Sequence, residues 1–576
     1  MTPRMLGWVF GMAAAFAVIY YSLPKKAGPA DQNGSKTVTS TVNRSQCESR
    51  LAKWIQSVDP VRHQFDTDLE GRGAELNRYW ETCGPTGTDP IVTDLKPFEA
   101  ALAGEAKELA LAKRFSRRDV QHIRQSILLA RMARRIAEGR ETDRERAKAA
   151  MTLIAQQVDP LPLSTAADRP LTPFEALLIG RGTAADRAWI FAEILRQIRV
   201  DVVVFLHADP KVSPLLGVLG ASEILLFDPL TGFPVPAAGE KDRPGLFQEP
   251  ARLADTVADD SILRQLDIEG SAFPWTADSL KAATVGVVGT SCTWSPRMAE
   301  LQFQWPSGEA CVLFDGLGPN VGLERGLLLR AQEAVGPLGY AADRVQVWSY
   351  PEERAAQYQS LGGETSPHMQ SYVEIMSGPI VVENDFVNGA RTVKTYRSKR
   401  PLQLVRAQQL IGDVSAIEGY LPLTRAHIPP RNTSISADIQ QVLDKNRVVA
   451  DWATYWKAST QFENKDISAC AGTLRLYRRD FALGEMTEAA LMRLAACLAS
   501  VRDNQNALDV LKAIGPGPNQ WRRGLLIRRI EQILAQSPAA TPPAAGAETT
   551  PAQDAPKPES PSVPPAPQEA TPLPEK

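Results

Sequence analysis

The sequence predicts an α+β chain built of several domains, and three observations carry that prediction. Its 576 residues exceed one ordinary domain, so about two to four are expected. Stretches with apolar residues at helical spacing are interspersed with short β-branched runs, so neither element type dominates every part of the chain. The two ends depart from the middle, with an uncharged apolar run near the start and a Pro/Ala-rich stretch at the finish. The hydrophobic fraction of 44% and charged fraction of 23% are ordinary for a globular protein. A formal net charge of −2 gives no reason to expect a nucleic acid partner.

Met5 to Leu23 carries no charge and lies between Arg4 and Lys25-Lys26. As a helix rising about 1.5 Å per residue it spans roughly 30 Å, the thickness of a hydrocarbon core. Trp8, Tyr20 and Tyr21 stand near its ends, where amphipathic rings favour the interface. Residues 5–23 are therefore expected to form a single transmembrane helix in the cytoplasmic membrane. A cleaved signal peptide is the rival reading, but its apolar region is usually shorter, and only AGPA follows the two lysines. The flanking charges lean towards a cytoplasmic body. The six cysteines lean the other way. They fall into three neighbouring couples, Cys47 with Cys83, Cys292 with Cys311 and Cys470 with Cys497, as suits disulfides in an oxidising compartment. The bulk of the chain is accordingly expected outside the cytoplasm.

Residues 24–44 are polar and read as a linker. A helical domain is expected over 45–150. Leu51, Trp54, Ile55 and Val58 share one helical face, Pro60 ends that helix, and Leu69, Leu76 and Trp80 mark a second. A Cys47–Cys83 bridge would staple the two ends of this hairpin. Farther on, Val120, Ile123, Ile127, Ala130 and Arg134 mark one face of a long helix, with Leu128, Met132 and Ile136 beside it. Lys113 to Lys148 holds twelve Lys/Arg against five Asp/Glu. Without interleaved aromatics this reads as a solvated helix face above an apolar stripe rather than a phosphate-binding surface.

Residues 151–265 form the most informative block. Thr172-Pro173-Phe174-Glu175 opens a short helix with proline in its first turn. Gly180 and Gly182 interrupt it, and Phe191, Ile194, Leu195 and Ile198 then form an i, i+3, i+4, i+7 stripe. VDVVVFL, from Val200 to Leu206, reads as a buried strand, as do Leu215–Leu219 and Ser222–Phe227, and Asp228 to Gly232 as a turn. A mixed α/β region is expected over 270–396, with strands at Thr284–Val288, Leu301–Gln304, Cys311–Phe314 and Val345–Trp348 and a helix at Arg325–Val335. Residues 400–536 read as a helical domain. Its segment Thr487–Ile514 forms a hairpin that resembles one degenerate tetratricopeptide-type unit. The tail, 537–576, is mostly Pro, Ala, Glu, Thr and Ser, lacks aromatics, and is expected to be disordered.

A thiol hydrolase or transferase needs a cysteine at a helix start, a histidine on a neighbouring strand and a carboxylate to orient the histidine. The helix start Gly182-Thr183-Ala184-Ala185-Asp186-Arg187-Ala188, the strand VDVVVFL and LFDPLTGFP resemble, in that order, the core of the transglutaminase-like (papain-like) superfamily. The resemblance covers about 70 to 100 residues. It implies a cysteine where Ala184 stands, an acidic residue matched by Asp186, and the orienting carboxylate matched by Asp228. The histidine it implies falls near Pro214 to Val218, where there is none. Two of the three triad positions are thus empty. Thr183 is no substitute nucleophile, because no base is placed for it.

What the resemblance then implies is a catalytically inactive core. Its helix start, Gly182, Thr183 and Ala184, still offers N–H groups suited to an anion, though a plain core cap is the simpler reading. No phosphate-loop, zinc-protease or serine-hydrolase motif is present, and the histidines at 63, 122, 207, 368 and 427 are dispersed, so neither metal nor cofactor is expected. The expected role is binding of a protein or peptide partner at the cell envelope. Two alternatives stand beside it. One is an enzyme whose cleft is completed by Cys292 or His207, and the other is a structural envelope spacer.

Overall fold

The computed structural model describes residues 44–62, 68–84, 105–162, 171–239, 249–306, 310–316, 326–360, 367–387, 390–399, 401–429 and 435–536. The expected anchor at 5–23, nearly all of the linker at 24–44 and the tail at 537–576 lie outside them. Among the described residues no helix is long and apolar enough to cross a membrane.

The first apolar stripes form α1 (Arg44–Ser57) and α2 (Leu69–Cys83), with Leu51, Trp54, Ile55 and Leu76 buried. A disulfide joins Cys47 to Cys83 across 36 residues of sequence, as the hairpin reading expects. Closing a loop of that length stabilises the fold by about 4 kcal/mol through the unfolded chain. Helix α3 (Glu105–Leu111) leads to α4 (Arg117–Ala137) and α5 (Asp143–Gln157). The apolar residues of the expected α4 face are buried, and of its basic residues only Arg134 is exposed. Arg118 pairs with Glu352 at 2.7 Å, Arg131 with Asp59 at 2.7 Å and Arg135 with Glu463 at 2.7 Å, while Arg124 lies 4.6 Å over the Phe174 ring. The excess of Lys/Arg ties α4 to distant elements, because their carboxylates sit far away in sequence.

Strand β1 (Asp159–Pro160) pairs in parallel with β2 (Arg181–Gly182), with α6 (Pro173–Ile179) between them. Gly180 ends α6 with φ +73°, and a Cβ there would lie 2.1 Å from the Trp456 ring, so glycine is required twice over. Gly182 has no left-handed backbone; it sits in the β1–β2 pair. Helix α7 (Ala184–Arg196) follows, and all thirteen of its residues are buried.

The β-branched run becomes β3 (Val202–Leu206), central in a six-stranded sheet of order β6-β5-β4-β3-β7-β8. Its partners are β4 (Leu215–Leu219), β5 (Ile224–Asp228), β6 (Phe233–Pro234), β7 (Thr284–Val287) and β8 (Val345–Val347). All neighbours are antiparallel except β7 and β8. Alternation divides the side chains: Val202, Val204, Leu216, Val218 and Phe227 join the core around α7, whereas Val203, Phe205, Leu215, Leu226 and Val285 join a second core. That second core is closed by α8 (Leu253–Ala258), α9 (Ser261–Arg264), α10 (Ala277–Lys281) and, beyond α11 (Pro296–Phe303), by α12 (Leu327–Val335). Because both faces are covered, the strand reads as an unbroken apolar run.

The sheet crosses the expected boundary between 151–265 and 270–396, since β7 and β8 complete it. The remaining elements are α13 (Tyr350–Ser360), α14 (Pro367–Met376), the hairpin β9 (Ile380–Val387) and β10 (Ala390–Arg397), α15 (Leu402–Leu410), α16 (Ala416–Thr424), α17 (Ala437–Glu463), α18 (Ile467–Asp480), α19 (Thr487–Ser500), α20 (Asn504–Lys512) and α21 (Gln520–Gln536). The helices of 400–536 are not a separate unit, because Trp452, Trp456, Leu494 and Ile530 lie in the same core as Phe191 and Val204. Helices α19 and α20 realise the expected hairpin.

Two expected strands are absent. Leu301–Gln304 falls largely in α11, which Ser295 and Pro296 start as N-cap and first-turn proline. Cys311–Phe314 forms no strand, and its backbone pairs with side chains. Gln197 Oε1 accepts from the Val312 N–H at 2.8 Å, and Gln302 Oε1 accepts from the Leu313 and Phe314 N–H groups at 2.7 and 3.0 Å.

Candidate functional site

Thr183 caps α7 in a reciprocal box. Its Oγ1 accepts from the Asp186 N–H at 3.2 Å, and Asp186 Oδ2 accepts from the Thr183 N–H at 2.8 Å and from the Thr183 hydroxyl at 2.9 Å. The other carboxylate oxygen, Oδ1, accepts from the Tyr350 hydroxyl at 2.8 Å, and Arg354 stands 3.9 Å away. Burial raises the Asp186 pKa, while Arg354 and these hydrogen bonds oppose the rise. The acceptor at this helix start is therefore the chain's own Asp186 carboxyl group. It takes up the Thr183 N–H that the anion-site reading of Gly182, Thr183 and Ala184 assigned to a ligand.

Asp228 ends β5 and is 1% exposed. Its carboxylate accepts from the Leu230 N–H at 3.0 Å and the Thr231 N–H at 3.2 Å, which shapes the turn. Burial pushes its pKa up to about 6 against the pull of these amides and of Arg187. Arg187, one turn into α7, clamps that turn to the helix. Its guanidinium donates to Pro229 O at 3.0 Å, Leu230 O at 3.1 Å and Val158 O at 2.5 Å. Arg196, at the far end of α7, pairs instead with Glu193 at 2.6 Å.

A cavity of about 710 Å³ opens at the α7 start. Ala184, Ala185, Pro214, Leu230, Trp348 and Tyr350 border it, as do His207, Lys211 and Glu353. Ala184, the position matched to a nucleophile, and Pro214, the first position matched to a base, thus face one space, and both are apolar. Asp228 is not among the lining residues and spends its oxygens on the turn. Trp348 and Tyr350 stack at 5.0 Å with their planes 13° apart, and Tyr350 links the wall to Asp186. Neither residue was singled out by the sequence. They arrive from more than 150 residues downstream, and only the aromatic pair Trp348-Ser349-Tyr350 after a strand signal hints at them.

His207 borders the cavity with its Nδ1 accepting from the Asp209 N–H at 3.0 Å and its ring edge-on to Trp275. No cysteine lines this cavity. Cys292 is buried elsewhere, among Arg118, Asp119, Arg297 and Glu352, and burial pushes its thiol well above the ordinary range. A thiol so desolvated is a poor nucleophile.

The expected pairing of all six cysteines is corrected. Cys292, Cys311, Cys470 and Cys497 are buried thiols, and only Cys47 and Cys83 are bridged. Cys470 and Cys497 nevertheless touch, with their sulfurs 2.9 Å apart between α18 and α19. Among the described residues no group of three or more His, Cys, Asp or Glu is placed to hold a metal ion. No family model, no curated protein and no solved structure matches the chain.

Proposed function

We propose that the chain is a non-catalytic binding protein with an inactive transglutaminase-like core, held at the cell envelope by residues 5–23, and that the cavity beside Ala184 receives an extended peptide segment of a partner. The observation that carries this reading is the cavity itself. Its volume of about 710 Å³ persists at the place matched to an active site, while Ala184 and Pro214 stand at the places matched to nucleophile and base. An alanine methyl and a proline ring supply no proton transfer and no bond to carbon. What they leave is an apolar floor with the stacked Trp348–Tyr350 wall, flanked by Lys211, His207 and Glu353. A few polar groups around an apolar cleft orient a bound chain without reacting with it.

Selection of a displayed peptide library on the full chain tests the reading, with Ala184→Trp as the counter-selected variant because an indole there fills the cleft. Peptides that bind the natural chain and lose at least about tenfold in affinity on the filled variant support it. A library in which every binder ignores the substitution contradicts it.

A further inference from the structure

Behind the turn that Asp228 shapes lies a second, smaller chamber of about 150 Å³, between α5, β6, α17, α19 and α21. Its wall is mostly hydrocarbon, from Phe462, Met492, Ala495, Leu526 and Ile530. Two guanidinium groups also face it, those of Arg493 and Arg522. Arg493 is 6% exposed, donates to Gln156 O at 2.6 Å and lies 5.1 Å from the Phe462 ring centre. Arg522 donates to Thr231 O at 3.1 Å and lies 4.7 Å over the Phe233 ring. Among the described residues neither forms an ion pair, but Arg493 also hydrogen-bonds the Tyr455 side chain and is attracted by Glu463, and Asp159 attracts Arg522.

The one carboxylate that lines the chamber, Asp159, accepts from the Asn519 side chain at 2.9 Å. Burial, together with repulsion from Arg187 and Arg493, pushes the Arg522 pKa down to about 9. Two arginines against the single carboxylate of Asp159 leave the lining of the chamber with a net positive charge, which is complementary to an anion.

We infer that this chamber binds a small apolar monocarboxylate, with its carboxylate between Arg493 and Arg522 and its hydrocarbon against Phe462, Met492 and Ile530. A space of this volume takes a group about the size of benzene. Benzoate and hexanoate are therefore the probes, and benzyl alcohol and 1-hexanol are their uncharged counterparts. Inorganic phosphate tests whether charge alone suffices.

Ligand-observed NMR and thermal melting of the full chain read the outcome. Benzoate or hexanoate should bind saturably and raise the melting temperature, with the alcohols and phosphate at least about tenfold weaker, because one charge-assisted contact is lost in the first case and the hydrocarbon in the second. Arg522→Met should weaken carboxylate binding at least about tenfold. Ala496→Phe fills the chamber without touching the charges and should abolish binding, which keeps the test decisive if Arg522→Met does not fold. Three results would overturn the inference: no saturable binding of either carboxylate, equal binding of the alcohols, or carboxylate binding unchanged in Ala496→Phe.

Discussion

The Tyr350 hydroxyl donates to Asp186 Oδ1 at 2.8 Å, across 164 residues of sequence, and so joins the start of α13 to the capping box of α7. That bond holds the aromatic wall of the cleft against the helix whose first residue is Ala184. Tyr350→Phe keeps the ring and removes the donor, leaving a buried carboxylate oxygen short of a partner. The expected loss is about 2 kcal/mol of stability, read as a lower urea midpoint with an unchanged slope.

Gly180 joins α6 to β2 with a left-handed backbone and lies against Trp456 of α17. Gly180→Ala adds a strained φ and a methyl where the indole already stands. Together these should cost about 3 kcal/mol, measurable by denaturant unfolding. Trp456→Leu relieves only the steric part, so the double variant should recover some of the loss but not all of it. Full additivity of the two single losses would contradict the contact.

Much of this architecture was legible locally. The stripe Phe191, Ile194, Leu195 and Ile198 marks α7, VDVVVFL marks β3, and the turn after Asp228 is where its Pro and Gly place it. The Cys47–Cys83 staple follows from the two helices whose ends it joins. What misled was any feature decided by distant partners. Leu301 to Gln304 has the composition of a strand, yet the start signal at Ser295-Pro296 governs it. Cys311 to Phe314 joins no sheet, because two glutamine side chains take its backbone N–H groups. The basic residues of α4 look like a solvated face until Asp59, Glu352 and Glu463 arrive from elsewhere. The matched positions Ala184, Asp186 and Asp228 could be placed from sequence. The wall opposite them, Trp348 and Tyr350, could not, because no local periodicity says which strand end will face which helix.

Asp228 gives the fold a pH signature with a definite sign. Its folded pKa, about 6, lies above the ordinary 3.8. Its contribution is therefore fully present below about pH 4 and is lost as the pH rises through about 6, a change of about 3 kcal/mol. Asp228→Asn keeps one of the two acceptors for the turn and cannot ionise. The stability of this variant relative to the natural chain should improve by about that amount between pH 4 and pH 7. A difference that stays constant across this interval would contradict the buried ionisation.

The thiols give a chemical count. Unreduced, denatured protein should label at Cys292, Cys311, Cys470 and Cys497 and never at Cys47 or Cys83. Treatment of the folded chain with diamide should join Cys470 to Cys497, whose sulfurs already touch, and peptide mapping would find that pair as one cross-linked species. Labelling of Cys47 in the unreduced protein would contradict the staple between α1 and α2.

The most direct test of the cleft as a binding site places a photo-crosslinking side chain at Lys211, on its rim, and adds a peptide selected on the natural chain. The account predicts efficient cross-linking, lost when Ala184→Trp fills the space beside it. Equal cross-linking with the cleft open and filled would contradict the claim that the peptide lies there.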